Sequence, residues 1–181
     1  MSVSTKTNRL HHLENRLAGI IERSLSSDEL MLRLLYANVV TSLEVYLYGL
    51  TTDLIQSNSS LLLNVARSEK FKARKLPIYF ALQNDLTQYF LQLVSEINFH
   101  NLSDIEPLFR EAFDVKIPLN DEVLQAIKVR HDIVHRDGFS KAGDPVNIEP
   151  STLKKTVHAV SELVKSVDRQ VVERYAALVD A

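Results

Sequence analysis

The chain has 181 residues, of which 45 % are apolar, with no cysteine and a formal net charge of −2. That length and composition suit one domain with a proper hydrophobic core, while the absence of cysteine excludes a disulfide framework and a thiolate zinc site. A charge so near zero lacks the global basic footprint of a duplex-DNA binder, so any nucleic-acid contact must rest on local patches. The opening "MSVSTKTNRLHH" has no apolar centre of signal-peptide type, and no uninterrupted apolar run approaches the roughly 18 residues of a membrane span. The expectation is a soluble, cytoplasmic protein with no membrane contact.

Apolar residues recur at intervals of three and four rather than two, and glycine and proline are too scarce for a chain that turns every ten residues. Residues 8–24 read as a modest amphipathic helix, so that 1–25 form an N-terminal helical extension ahead of a helical domain over 26–181. Ser26 is the expected N-cap of the next helix, with Glu29 its capping-box partner. That helix, about 28–56, is apolar on most faces between Leu30 and Thr52, with Arg33 its only base and Glu44 its only acid there. It has the pattern of a central spine. Residues 57–76 are mixed and include the basic run Arg67, Lys70, Lys72, Arg74 and Lys75, after which Pro77 opens a helix to about Ile97. Ser103 and Glu106 make a second capping box for a short helix ending near Asp114. Asn120 caps the following helix, Asp121 and Glu122 suit its dipole, and Gly138 is placed to stop it in the left-handed conformation. A loop to Pro150 leads to a last helix over about 150–179, where Leu153, Val157, Val160, Val164, Val167 and Val171 step by three and four. The expected fold class is all-α, an antiparallel helical bundle of about five to six helices with short connections.

The stretch "VRHDIVHRDG", residues 129–138, carries the chemistry. At about 100° per residue, Val123, Ile127, Arg130 and Val134 share a narrow arc, so Arg130 points along the apolar face. His131 and His135 share a strip beside that arc, and Asp132 projects roughly opposite. A desolvated guanidinium must find a carboxylate, a phosphate or carbonyls. Glu44, flanked at helical spacing by Val40 and Leu47, is the candidate carboxylate. It can serve as a structural ion-pair partner, or orient an arginine whose outer fork takes a ligand phosphate. The four-residue step of His131 and His135 is also that of metal-ligand pairs, but there is no H-E-x-x-H and no evident third ligand, so no metal site is assigned. Two ordinary solvated histidines fit the same spacing. Their place near a helix C-terminus favours the protonated form.

"RHDIVHRDG" resembles the R-x(4–6)-H signature of the HEPN superfamily, with Arg130 and His135 in the two defining positions. The wording is most similar to the RiboL-PSP-type HEPN branch. "YANVVTSLEVYLYGL" is similar to the first long helix of such domains and "LSDIEPLFREAF" to the short helix before the motif helix, so the resemblance covers about residues 28–175. The residue after the arginine, often an amide or small polar group in the superfamily, is here His131.

The resemblance implies a bundle of HEPN type and a metal-independent endoribonuclease that needs no cofactor. Cutting RNA without a metal takes a base for the 2′-hydroxyl, a cation for the charge on the phosphoryl oxygens, and an acid for the departing 5′-oxygen. In the implied assignment His135 is the base or acid, Arg130 the oxyanion stabiliser, and His131 or Asp132 a helper. Glu44 supports Arg130, while Lys128, Arg136 and Lys141 contact RNA. A homodimer would join two motifs in one composite cleft, and a toxin or antiviral-defence role would bring an antitoxin or inhibitory protein as partner. The basic run over 67–75 is either a solvated loop, the preferred reading, or a funnel for single-stranded RNA. The rival is a catalytically silent HEPN module for dimerisation and nucleotide or protein binding.

Overall fold

A computed structural model describes residues 6–179 as eight helices with no sheet: α1 (Asn8–Ser24), α2 (Glu29–Ser57), α3 (Ser59–Arg67), α4 (Ile78–Gln83), α5 (Leu86–Ser95), α6 (Leu102–Phe113), α7 (Asp121–His135) and α8 (Pro150–Val179). The all-helical bundle is as expected, and the helix count is higher for two reasons. The mixed segment after residue 57 contains α3, capped by Asn58, whose side chain accepts from Ser60 N. The helix expected from Pro77 to Ile97 is broken at Asn84, which is extended, and Asp85 caps a new helix by accepting from Thr87 N and Gln88 N at 2.8 and 3.3 Å. An Asn-Asp pair offers the backbone a cap that competes with continued helix, and here the cap prevails.

Local cap chemistry also moves two other starts. Asp28, not Ser26, caps α2, accepting from Met31 N at 2.8 Å. A capping oxygen must sit one residue before the first helical one, and Ser26 lies too early. Likewise α6 starts at Leu102 after Asn101, which leaves Ser103 inside the helix. Asn120 caps α7 as expected, its side chain accepting from Val123 N at 2.7 Å.

The spine is α2, which packs against α1, α3, α5, α7 and α8. It has the length and apolar content of a membrane span. Those properties are taken up by the core, where Val39, Val40, Leu43 and Leu47 are fully buried. Leu10, Leu13, Leu17 and Ile20 bring one stripe of α1 onto it, and Val160, Leu163, Val164, Val167 and Val171 do so from α8. Close contacts fix the directions. Arg9 pairs with Asp53 while Arg16 lies near Ser42, and Arg130 lies beside Glu44 while Gly138, just past α7, meets Arg33, so α1 and α7 both run antiparallel to α2. Tyr36 bonds Thr156 while Tyr46 bonds Asp168, so α8 runs alongside α2 in the same sense.

Asp168, buried to 1 % exposure, ties three helices together. Its carboxylate accepts from Thr7 N at 3.0 Å, from the Thr7 hydroxyl at 2.5 Å and from the Tyr46 hydroxyl at 2.9 Å. Thr7 is also the N-cap of α1, accepting from Leu10 N, so the cap and the tertiary tie are one device. Burial first, then the neighbouring Asp168 charge, pushes the Tyr46 phenol well above its usual range. Tyr46 therefore stays a donor. Asp168→Ala strands three donors in the core and should lower stability by about 3 kcal/mol or more in urea unfolding. Asp53→Ala, which breaks a half-exposed pair with Arg9, should cost about 1 kcal/mol or less in the same measurement.

Candidate functional site

Arg130 lies on the inner face of α7, as its spacing requires, with 16 % of its side chain exposed. The nearest anion is Glu44, whose Oε1 is 3.8 Å from Arg130 Nη2. That is charge contact without a hydrogen bond. Arg130 Nε is buried and has no hydrogen-bond partner among the described residues. The cation is thus oriented and incompletely satisfied.

Glu44 gives its hydrogen bond elsewhere. The same Oε1 accepts from His100 Nδ1 at 2.5 Å, and because a carboxylate only accepts, Nδ1 carries the proton. Local packing explains the meeting. Phe99 is buried and packs edge-on against Tyr48 at 5.7 Å between ring centres, one helical turn beyond Glu44 on α2. The next residue, His100, is thereby laid over the carboxylate. The sequence reading missed His100, since a single histidine in "NFHNL" carries no spacing signal of its own. Only its tertiary partner marks it.

On the outer side of α7 a cavity of about 730 Å³ opens towards the segment 98–103. Leu102, Leu124 and Ile127 line it with apolar surface, and Lys128, His131, Asp132, Arg136 and Lys141 bring the charges. His100 forms part of the opposite wall, and it also lines the smaller cleft, about 270 Å³, that contains Glu44. The structure therefore gathers Lys128, His131, Asp132, Arg136 and Lys141 round one space. Arg130 and Glu44 stand behind it as a half-buried pair, and His135 is not part of its lining.

His131 and His135 face each other with ring centres 4.7 Å apart, tilted by 45°. Loss of solvent round the His131 ring, then the charges of Arg136 and His135, lower its pKa from the ordinary histidine value. A helix C-terminus favours the protonated ring, and at His131 the shift runs the other way. At His131 loss of solvent, with the neighbouring positive charge added to it, outweighs the dipole, and the ring is mainly neutral near pH 7. Asp132 lines the cavity with its side chain 19 % exposed and accepts from Arg136 Nη1. Lys141 is held by a small folded loop after α7, in which Ser140 N donates to Asp144 O at 2.8 Å and Val146 N to Gly138 O at 2.7 Å. Gly138 has φ +80°, following Asp137 at φ 54°. The positive φ favours glycine there, and a Cβ would lie 2.7 Å from the tip of the Arg33 side chain, which would have to shift.

The basic run over 67–75 is exposed, and none of its cations lines the cavity. Lys70 lies 3.9 Å from Asp104 and Lys72 pairs with Glu69, which is the behaviour of a solvated segment. Among the described residues no three His, Asp or Glu side chains converge as a metal-ligand set. An apolar floor with amide walls and a cationic rim can hold a planar base and its phosphate, while the neutral His131 can accept a proton. Comparisons with protein-family models, with curated proteins and with solved structures found no match for the chain.

Proposed function

We propose that this chain is a metal-independent endoribonuclease of HEPN type. The observation that carries this reading is the state of Arg130, a half-buried cation held by Glu44 at 3.8 Å with a buried, unpartnered Nε, on the same helix end as the facing pair His131 and His135. A cation so placed is ready for a phosphoryl oxygen. Lys128, Arg136 and Lys141 on the cavity rim suit the flanking phosphates. His131, mainly neutral, takes the proton of the 2′-hydroxyl, and His135 beside it shares that role. The 2′-oxygen then forms its bond to phosphorus as the bond to the 5′-oxygen breaks, which leaves a 2′,3′-cyclic phosphate and a 5′-hydroxyl.

A homodimer belongs to this reading. Leu30, Leu34, Val45 and Tyr48 leave an exposed apolar stripe on α2, and Val134 and Phe139 continue it at the end of α7. Single exposed apolar residues are ordinary, but a stripe beside the motif suits a second copy related by two-fold symmetry. Such a pair would bring both Arg130 and His135 sets to one composite cleft. A cytoplasmic toxin or antiviral-defence effector, restrained by an antitoxin or inhibitory protein, is the setting that the HEPN resemblance suggests. The catalytically silent module has one observation in its favour: Glu44 and Asp132 already pair with Arg130 and Arg136 within the protomer.

Arg130→Ala and His135→Ala should each lower cleavage of total RNA or tRNA by about 10²-fold or more, with circular dichroism and sedimentation near wild type. If Arg130→Ala unfolds the protein instead, Arg130 serves the core. Cleavage should survive excess EDTA, and activity lost to EDTA and restored by zinc or manganese would contradict the mechanism. The pH–rate profile should rise through the lowered His131 pKa, because the base must be neutral. Its acid limb therefore lies below the ordinary histidine value of about 6.5. An acid limb above that value would argue against His131 as base.

A further inference from the structure

A proton must also reach the departing 5′-oxygen, and the motif's own histidines are committed to the other transfer. We infer that His100 is the general acid of this site and that Glu44 is its positioning residue. The inference rests on the ribonuclease reading above and names a group that the motif does not contain. Three observations carry it. His100 lines the same cavity as His131, from the opposite wall. Its Nδ1 is held by Glu44 at 2.5 Å, which fixes the tautomer and leaves Nε2 as the nitrogen available to a ligand. Its side chain is 24 % exposed and Glu44's is 22 %, so the pair is sheltered yet reachable.

The two histidines meet different neighbours. His100 meets a carboxylate from α2, with Arg130 on the far side of that carboxylate. Across the cavity α7 presents Lys128, His131, Asp132 and Arg136, and the loop after it presents Lys141. His131 shares its end of α7 with Arg136, His135 and Asp132, and among the described residues no carboxylate is bonded to its ring. As the acid, His100 is an imidazolium, with Nδ1–H on Glu44 and a second proton on Nε2. In the reaction the 2′-hydroxyl proton goes to His131, the 2′-oxygen–phosphorus bond forms, the phosphorus–5′-oxygen bond breaks, and the Nε2 proton of His100 passes to the 5′-oxygen, which leaves His100 as the neutral Nδ1–H tautomer. Glu44 then acts on Arg130 and His100 at once, through one oxygen.

The test uses two dinucleotide substrates, one with the natural 5′-oxygen leaving group and one with a bridging 5′-sulfur, which leaves without protonation. His100→Asn keeps an N–H for Glu44 and removes the ionisable nitrogen. It should slow cleavage of the oxygen substrate by about 10²–10⁴-fold in kcat, with KM within a few-fold and the basic limb of the pH profile gone. On the sulfur substrate it should run near the wild-type rate, whereas His131→Ala should be slow on both. Equal losses on the two substrates would show a structural role for His100 and overturn the assignment. An unimpaired His100→Asn would overturn it too, while leaving the ribonuclease reading in place. Wild-type protein that cuts neither RNA nor the sulfur substrate would remove the ribonuclease reading and this assignment together. Should His100→Asn not fold, Glu44→Gln on the same pair of substrates reads the same role. A greater loss on oxygen than on sulfur supports the assignment, and equal losses overturn it.

Discussion

A single carboxylate oxygen, Glu44 Oε1, stands between two cationic or proton-bearing groups from different parts of the chain: Arg130 at 3.8 Å and His100 at 2.5 Å. Without it the inner face of α7 would bury a guanidinium against Val123 and Ala126 with no anion in reach. An uncompensated buried charge costs several kcal/mol, enough to consume a large part of a domain's stability. The acid on the otherwise apolar spine is thus what permits an arginine to sit at the edge of the core. Because the charge contact is longer than a hydrogen bond, the arginine is kept in place without being used up.

Two of the sheltered carboxylates differ in how fully they are satisfied. Asp168 is fully satisfied by Thr7 and Tyr46, and closes α1 and α8 onto the spine. Glu44, about a fifth exposed, faces groups that retain free capacity, Arg130 Nε and His100 Nε2. A buried polar network with every member satisfied makes a rigid scaffold, whereas one with spare donors is where a ligand finds partners. The apolar packing of α2 against its neighbours holds the second network still enough to be useful.

Much of this was legible in the sequence because it depends on short-range rules. The spacing of Val123, Ile127 and Arg130 places the arginine inward, whereas Val134, on the same arc by spacing, is exposed because the helix is ending there, and the lone acid between Leu30 and Thr52 identifies the arginine's partner. Asn120, Gly138 and the three-four spacing of the last helix are likewise local signals. What escaped depends on competition or on distance. The break at Asn84–Asp85 and the cap at Asp28 turn on which of several polar residues prevails, a difference of about 1 kcal/mol. The lowered His131 pKa arises from loss of solvent round the ring first, then from Arg136 and His135, set against the helix dipole, a balance that spacing alone does not weigh. His100 comes to Glu44 only because Phe99 packs on Tyr48, and nothing within ten residues of His100 announces that contact.

The chemistry proposed for the site makes the 2′-hydroxyl the nucleophile, and everything assigned to Arg130, His131 and His135 follows from that choice. The most direct measurement is mass spectrometry of the ends produced from one RNA oligonucleotide and from the same oligonucleotide with a single 2′-deoxy nucleotide at the cut position. The account predicts 2′,3′-cyclic phosphate and 5′-hydroxyl ends from the first, and no cut at that position in the second. Cleavage of the 2′-deoxy position, or 5′-phosphate ends from the all-ribose strand, would contradict it.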